Sequence, residues 1–189
     1  CLTEAKEHFY PVETFFIDLT LVASTTLGPA LANELARDIP TNVLISGEDV
    51  ARLKSEYPDT FQALLQSIND GRVCLIGGEV SEKPLSLLPI DQIAKRLQQG
   101  QAMYRRHLNV APMIFGRRGR GFSSVLPGLL TKIDFRGALH MALDGGRMPG
   151  GSQGRIQWEG IDGTAIDAYA RVPLDAARVE TFSSLPQHL

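Results

Sequence analysis

The feature that most constrains this chain is a regular alternation of short apolar runs with longer amphipathic ones. Residues 43–45 and 73–76 are apolar throughout and are bounded by Ser46-Gly47 and Gly77-Gly78. Strands without polar residues fit a sheet whose two faces are both covered. Between them, residues 48–69 carry Val50, Leu53, Phe61, Leu64, Leu65 and Ile68 at helical spacing, and Pro58 should split that helix in two. Strand–helix–strand units of this kind cross over right-handedly and build a parallel sheet.

The same alternation runs along most of the chain. Residues 13–23 read as a strand, 29–37 as a helix opened by Pro29, and 89–108 as a helix with Ile90, Ile93, Leu97, Tyr104 and Leu108 on one face. Residues 113–115 are a short strand, and Val125, Leu126, Leu129, Leu130 and Ile133 mark another helix. Residues 137–143 are a further strand. Residues 155–159 and 164–172, joined by a turn, read as a β-hairpin. The expected fold is therefore α/β: alternating βα units on a parallel sheet, part of a (β/α) barrel or an incomplete one, with a C-terminal hairpin. An open doubly wound sheet fits the same pattern. A closed barrel needs about 250 residues, so 189 residues supply only part of one. No linker or repeat interrupts residues 1–175, which read as one domain, with 176–189 as a loosely held tail.

Composition narrows the classes. A net charge of −2 gives no global signature of a nucleic-acid binder, and no apolar run reaches the length of a membrane span. Two cysteines make no disulfide framework and fit a soluble, cytoplasmic setting better than a secreted one. Cys74, inside an apolar run, reads as a buried free thiol. The chain begins at Cys1 without an initiator Met, which reads as a fragment of a longer polypeptide.

Parallel α/β folds carry their chemistry at the C-terminal ends of the strands. Those ends read Ser46-Gly47-Glu48, Gly77-Gly78-Glu79, Gly116-Arg117-Arg118 and Asp144-Gly145-Gly146-Arg147. Each joins a glycine, which lets a ligand approach the backbone, to a charge. Glu48, Glu79 and Asp144 are candidate acid/base groups. His140 shares their candidacy, because alternation puts Ala138, His140, Ala142 and Asp144 on one strand face, directed to the barrel interior or cleft. Leu139, Met141 and Leu143 should then pack on helices. Arg117, Arg118, Arg120 and Arg147 are candidate substrate-binding groups. Glu48 also suits a first helical turn, His140 a core histidine, and Glu82-Lys83 a casual surface pair. No motif with metal-ligand spacing is present, and no cofactor is expected.

From about residue 71 to residue 170 the order of motifs resembles a known family. Gly71-Arg72-Val73 leads into Gly77-Gly78. Ile93 to Gln99-Gly100 follows on a helix, then Pro112, Ser123, Pro127-Gly128-Leu129-Leu130, Phe135, and Trp158-Glu159-Gly160-Ile161-Asp162-Gly163-Thr164. This sequence of features is similar to the N-terminal catalytic barrel of the family 38 α-mannosidases, in the 38/57 glycoside hydrolase and deacetylase superfamily. In active members the loop after the Pro-containing strand reads W-x-x-D-P-F-G-H-S, its Asp being nucleophile and zinc ligand. Aligned through Gly121 and Ser123, this chain has Phe115 for the Trp, Arg118 for the Asp and Phe122 for the His. The family's His-x-Asp ligand pair is absent, its Gly-Gly-Trp becomes Gly77-Gly78-Glu79, and its following acidic pair becomes Lys83-Pro84. The resemblance thus implies the fold and a carbohydrate ligand without the zinc site.

Two functional readings follow, beside a third in which the chain is a purely structural domain of a larger polypeptide. One is a metal-independent carbohydrate-active domain in which two of Glu48, Glu79 and Asp144 flank a glycosidic bond, and Arg118 orients an acidic or phosphorylated glycan. The alternative is a non-catalytic scaffold in a larger protein, holding a glycan or a partner.

Overall fold

The computed structural model describes residues 17–119, 122–141, 154–171 and 174–184. Leu19–Pro173 form one compact unit; the described residues outside it belong to a second. In the first unit the elements run β1 (Leu19–Leu21), α1 (Pro29–Leu35), β2 (Thr41–Leu44), α2 (Gly47–Glu56), α3 (Pro58–Asn69), β3 (Val73–Gly77), α4 (Ile90–Leu108), β4 (Ile114–Arg117), α5 (Leu126–Lys132), β5 (Gly137–Met141), β6 (Arg155–Glu159) and β7 (Ala165–Arg171). One turn of 3₁₀ helix, Leu85–Leu87, precedes α4.

Local signals set these boundaries. Ser46 caps α2 by accepting the Asp49 N–H. Pro58 opens α3 after Tyr57, whose extended φ of −137° ends α2 and separates the two helices. Asn109, left-handed at φ 57°, closes α4 and donates its N–H to the Arg105 carbonyl. β1 is shorter than the strand expected over 13–23. Among the described residues it pairs with β2 alone, and a turn bonded between Ala23 and Thr26 ends it; residues 13–16 lie outside the described residues.

The seven strands form one sheet in the order β1-β2-β3-β4-β5-β7-β6. The first five are parallel and neighbour one another in chain order. β7 adds parallel to β5, and β6 pairs antiparallel with β7 to complete the expected hairpin. A doubly wound sheet reverses its strand order at a switch point; this sheet does not.

The helices confirm which side is covered. Val43, Ile45, Val73 and Leu75 pack with Leu31, Leu35, Val50, Leu53, Phe61, Leu64, Tyr104 and Leu108 in one core. A second core joins Phe115, Ala138, Ile166 and Ala168 to Ile93, Leu97, Leu126 and Leu130. Every helix represented in these cores meets the same sheet face. The opposite face carries Leu44 and Ile76 with Leu19, Leu21, Ile114 and Leu139, a cluster built from strand residues only. This is the wall of a β/α barrel, with helices outside and an apolar strand face inside.

Two expectations are corrected by that arrangement. Cys74 is exposed, because its strand alternates and it shares the helix-free face with Ile76. On β5 the faces are also the reverse of those expected. Ala138 packs under the helices and Leu139 lies on the inner face. The helices supply the bulk, through Leu97, Leu126 and Leu130, so the strand beneath them contributes a small residue. In the other unit a short helix, α6 (Val179–Ser184), forms where residues 176–189 show no sequence pattern.

Candidate functional site

The C-terminal ends of β2 to β4 come together through a loop, residues 79–83, whose carbonyls are bonded on both sides. Gly47 N–H donates to the Glu79 carbonyl at 3.0 Å and Glu48 N–H to the Val80 carbonyl at 2.8 Å. Arg96 donates to the Ser81 carbonyl at 2.8 Å, and Arg117 donates to the Lys83 carbonyl. The start of α2, the body of α4 and the end of β4 therefore fix one loop between them. The glycines before it are required: Gly77 and Gly78 have φ of 152° and 129°.

Arg117 and Glu79 lie inside this assembly. Their side chains are 0% and 3% exposed, and Arg117 Nε stands 3.1 Å from Glu79 Oε2. Burial pushes the Glu79 carboxyl up to about 7, against the pull of the Arg117 guanidinium, with Glu82 adding to the rise and Arg96 opposing it. The phenol of Tyr104 is likewise pushed up by burial; it donates to the Ile45 carbonyl and accepts from Gly78 N–H.

Arg118 turns outward into a cleft of about 410 Å³ lined by Ser24, Ser46, Glu48, Asp49, Arg52, Ser81, Glu82 and Arg118. Its guanidinium is shared among three partners. Nε donates to Glu82 Oε1 at 2.9 Å, Nη1 to the Val22 carbonyl at 2.8 Å, and Nη2 lies 3.8 Å from Asp49 Oδ2. Its backbone N–H also reaches Glu82 Oε1, at 3.0 Å. Ser46 Oγ donates to Asp49 Oδ2 at 2.8 Å and accepts the Asp49 N–H at 3.1 Å. Arg52 is engaged by Glu56 through two bonds of 3.0 and 3.1 Å. Glu48, in the first turn of α2, is exposed at the cleft and has no side-chain partner among the described residues.

Of the residues singled out from the sequence, Glu48 and Arg118 line the cleft, while Glu79 and Arg117 form the buried pair behind it. His140 stands in register with Arg117 across β4 and β5. Asp144, Arg147 and Arg120 lie outside the described residues. Glu82, which reads in sequence as half of a surface pair with Lys83, is the main partner of Arg118 instead. Asp49 is not among the residues singled out from the sequence, although a signal exists: Ser46 three residues ahead of an acidic residue, just past a strand, is a helix-capping pattern. Ser24 and Ser81 carry no such signal, since only the loop geometry brings them in.

A zinc ion of the kind held by active family 38 α-mannosidases does not fit these residues. Arg118, a permanent cation with no lone pair to offer, is bonded to Glu82 and lies beside Asp49.

No protein-family model matches the sequence, and no curated protein matches it. Solved structures do match in fold. The chain is similar to the 4-α-glucanotransferase of Thermococcus litoralis, with a TM-score of 0.63 and 17% identity, over 86% of this chain and 28% of that one. It is similar to an α-mannosidase from Enterococcus faecalis V583, with a TM-score of 0.62 and 11% identity, over 84% of this chain and 19% of that one. A family 4 carbohydrate esterase from Streptomyces lividans gives a TM-score of 0.51 and 14% identity, over 66% of this chain and 61% of that one. The chain thus spans less than two thirds of each of these proteins. At such identities the likeness is one of architecture: this is the α/β scaffold found in glycoside hydrolase and carbohydrate esterase domains.

Proposed function

We propose that this chain is a carbohydrate-binding domain on a family 38 α-mannosidase-like scaffold, which holds a glycan in the Glu48–Arg118 cleft without cleaving it. One observation carries the reading: the arginines are spent on the carboxylates. Glycoside hydrolysis needs two carboxyl groups free to serve as acid and as base or nucleophile. Here Glu82 is bonded to Arg118, which also lies beside Asp49, and Glu79 is buried against Arg117. Glu48 is the one carboxylate among the described cleft residues that takes part in no ion pair. Serine hydroxyls from Ser24, Ser46 and Ser81, interleaved with carboxylates, suit the hydroxyl groups of a sugar.

Calorimetric titration of the purified chain with oligosaccharides, run beside a turnover assay on aryl glycosides, tests this. Binding without turnover is the expected result. Turnover that disappears in Glu48→Gln would overturn it.

A catalytic reading has one observation in its favour. Glu79, held near 7 by burial, is the kind of carboxylic acid that donates a proton at neutral pH. Under that reading the rate on a glycoside falls as pH rises through 7, and Glu79→Gln abolishes it.

A further inference from the structure

Resting on the binding reading above, we infer that the cleft is built for a cationic sugar, one bearing a free ammonium group, rather than for an acidic or phosphorylated glycan. Among the described residues, the charges that line it are Glu48, Asp49 and Glu82 against Arg52 and Arg118. Arg52 is matched by Glu56, outside the lining, so it offers the cleft no free cation. Arg118 is matched by Glu82 and directs its remaining nitrogens to the Val22 carbonyl and towards Asp49. An incoming carboxylate or phosphate would have to strip these partners from Arg118 while approaching three carboxylates. That is unfavourable on both counts.

An ammonium meets the opposite situation. Glu48 is exposed and has no side-chain partner among the described residues, so it can accept a charge-assisted bond without losing one. Asp49 and Glu82 are buried or nearly so and stay fixed by Ser46 and Arg118; they add a negative field without moving. The Ser24, Ser46 and Ser81 hydroxyls surround this charge with groups suited to sugar hydroxyls. The unbalanced carboxylate thus sets the ligand's charge, and the serines its polyol character.

The test is a titration of the chain with four probes of equal length: a glucosamine oligomer, its fully N-acetylated form, a mannose oligomer and a galacturonic acid oligomer. A single charge pair in a half-open cleft gives the glucosamine oligomer about a fivefold advantage over the acetylated and neutral probes. The uronic acid oligomer binds worst. Glu48→Gln brings the glucosamine oligomer down to the affinity that the same variant shows for the neutral probe. Equal affinity for all four, or preference for the acidic oligomer, overturns this inference and leaves the binding reading intact. Absence of binding to any probe overturns both.

Discussion

A buried carboxylate beside an arginine can still resist ionisation, and Glu79 is such a case. With its side chain 3% exposed, loss of water outweighs the attraction of Arg117 and carries the pKa from 4.5 to about 7. The sign for stability follows. Between about pH 4.5 and 7 the folded state keeps a proton that the unfolded state releases. Stability from this group is complete below 4.5, declines as pH rises through 7, and is level above it. Measured by chemical denaturation, the protein should lose about 3 kcal/mol relative to Glu79→Gln across that window. Parallel pH profiles for the two proteins would refute the assignment. Charge–glycine pairs at strand ends were legible in the sequence as a group, but not which arginine meets which acid. Arg117 and Arg118 are adjacent, and strand alternation sends one to the covered face with Glu79 and the other into the cleft with Glu82. That division depends on which sheet face bears the helices, which no run of residues states.

Between elements, close approach is set by glycine. A Cβ on Gly100 of α4 would lie 2.1 Å from the Gly78 carbonyl oxygen, a backbone atom held in the loop that presents Glu79. A Cβ on Gly128 of α5 would lie 2.3 Å from Asp162 Oδ2, the tip of a side chain. Asp162 is kept in place by the Thr164 N–H at 3.1 Å, a bond that also holds its carboxyl below the usual range. Gly100→Ala should therefore cost about 2–3 kcal/mol despite the helix-favouring alanine, because backbone has to move. Gly128→Ala should cost about 1 kcal/mol, since only a side chain has to move and Asp162 exchanges its bond from the Thr164 N–H for water. Urea denaturation of the two variants gives the order; equal losses would contradict it. Five of the described glycines that carry the sequence resemblance are contact points of this kind, while Gly71 and Gly163 stand in open space. Gly77, Gly78, Gly100, Gly128 and Gly160 mark where strand, helix and hairpin touch. The fold was legible because packing imposes that spacing. The site was less so, because the cleft is composed of side chains from four separate segments with no mutual spacing rule.

At the scale of the molecule, the decisive property is that the helices cover one face of the sheet. An apolar run such as Val73 to Ile76 has the same composition whether its inward residues meet helices or other strands, so the sequence supports a doubly wound sheet and a barrel wall alike. Strand order and helix placement separate them, and Cys74 reports the difference. In a sheet covered twice its thiol would be sealed; here it stands exposed on the strand-only face, in register with Asn42 of β2. The chain has two cysteines, so a Cys1→Ser variant leaves Cys74 as its sole thiol. That thiol should react with a disulfide reagent such as Ellman's in native buffer, to one equivalent, at a rate that added denaturant below the unfolding transition does not raise. A thiol that reacts only once the protein unfolds would mean that the inner face is closed over. The same variant with Leu44→Ala opens the inner face between Leu21 and Ile76 and should speed the reaction modestly. Val43→Ala, one residue away but under the helices, should lower stability by about 1 kcal/mol or more without changing the reaction rate. Opposite effects from neighbouring residues on one strand are what a one-sided sheet requires.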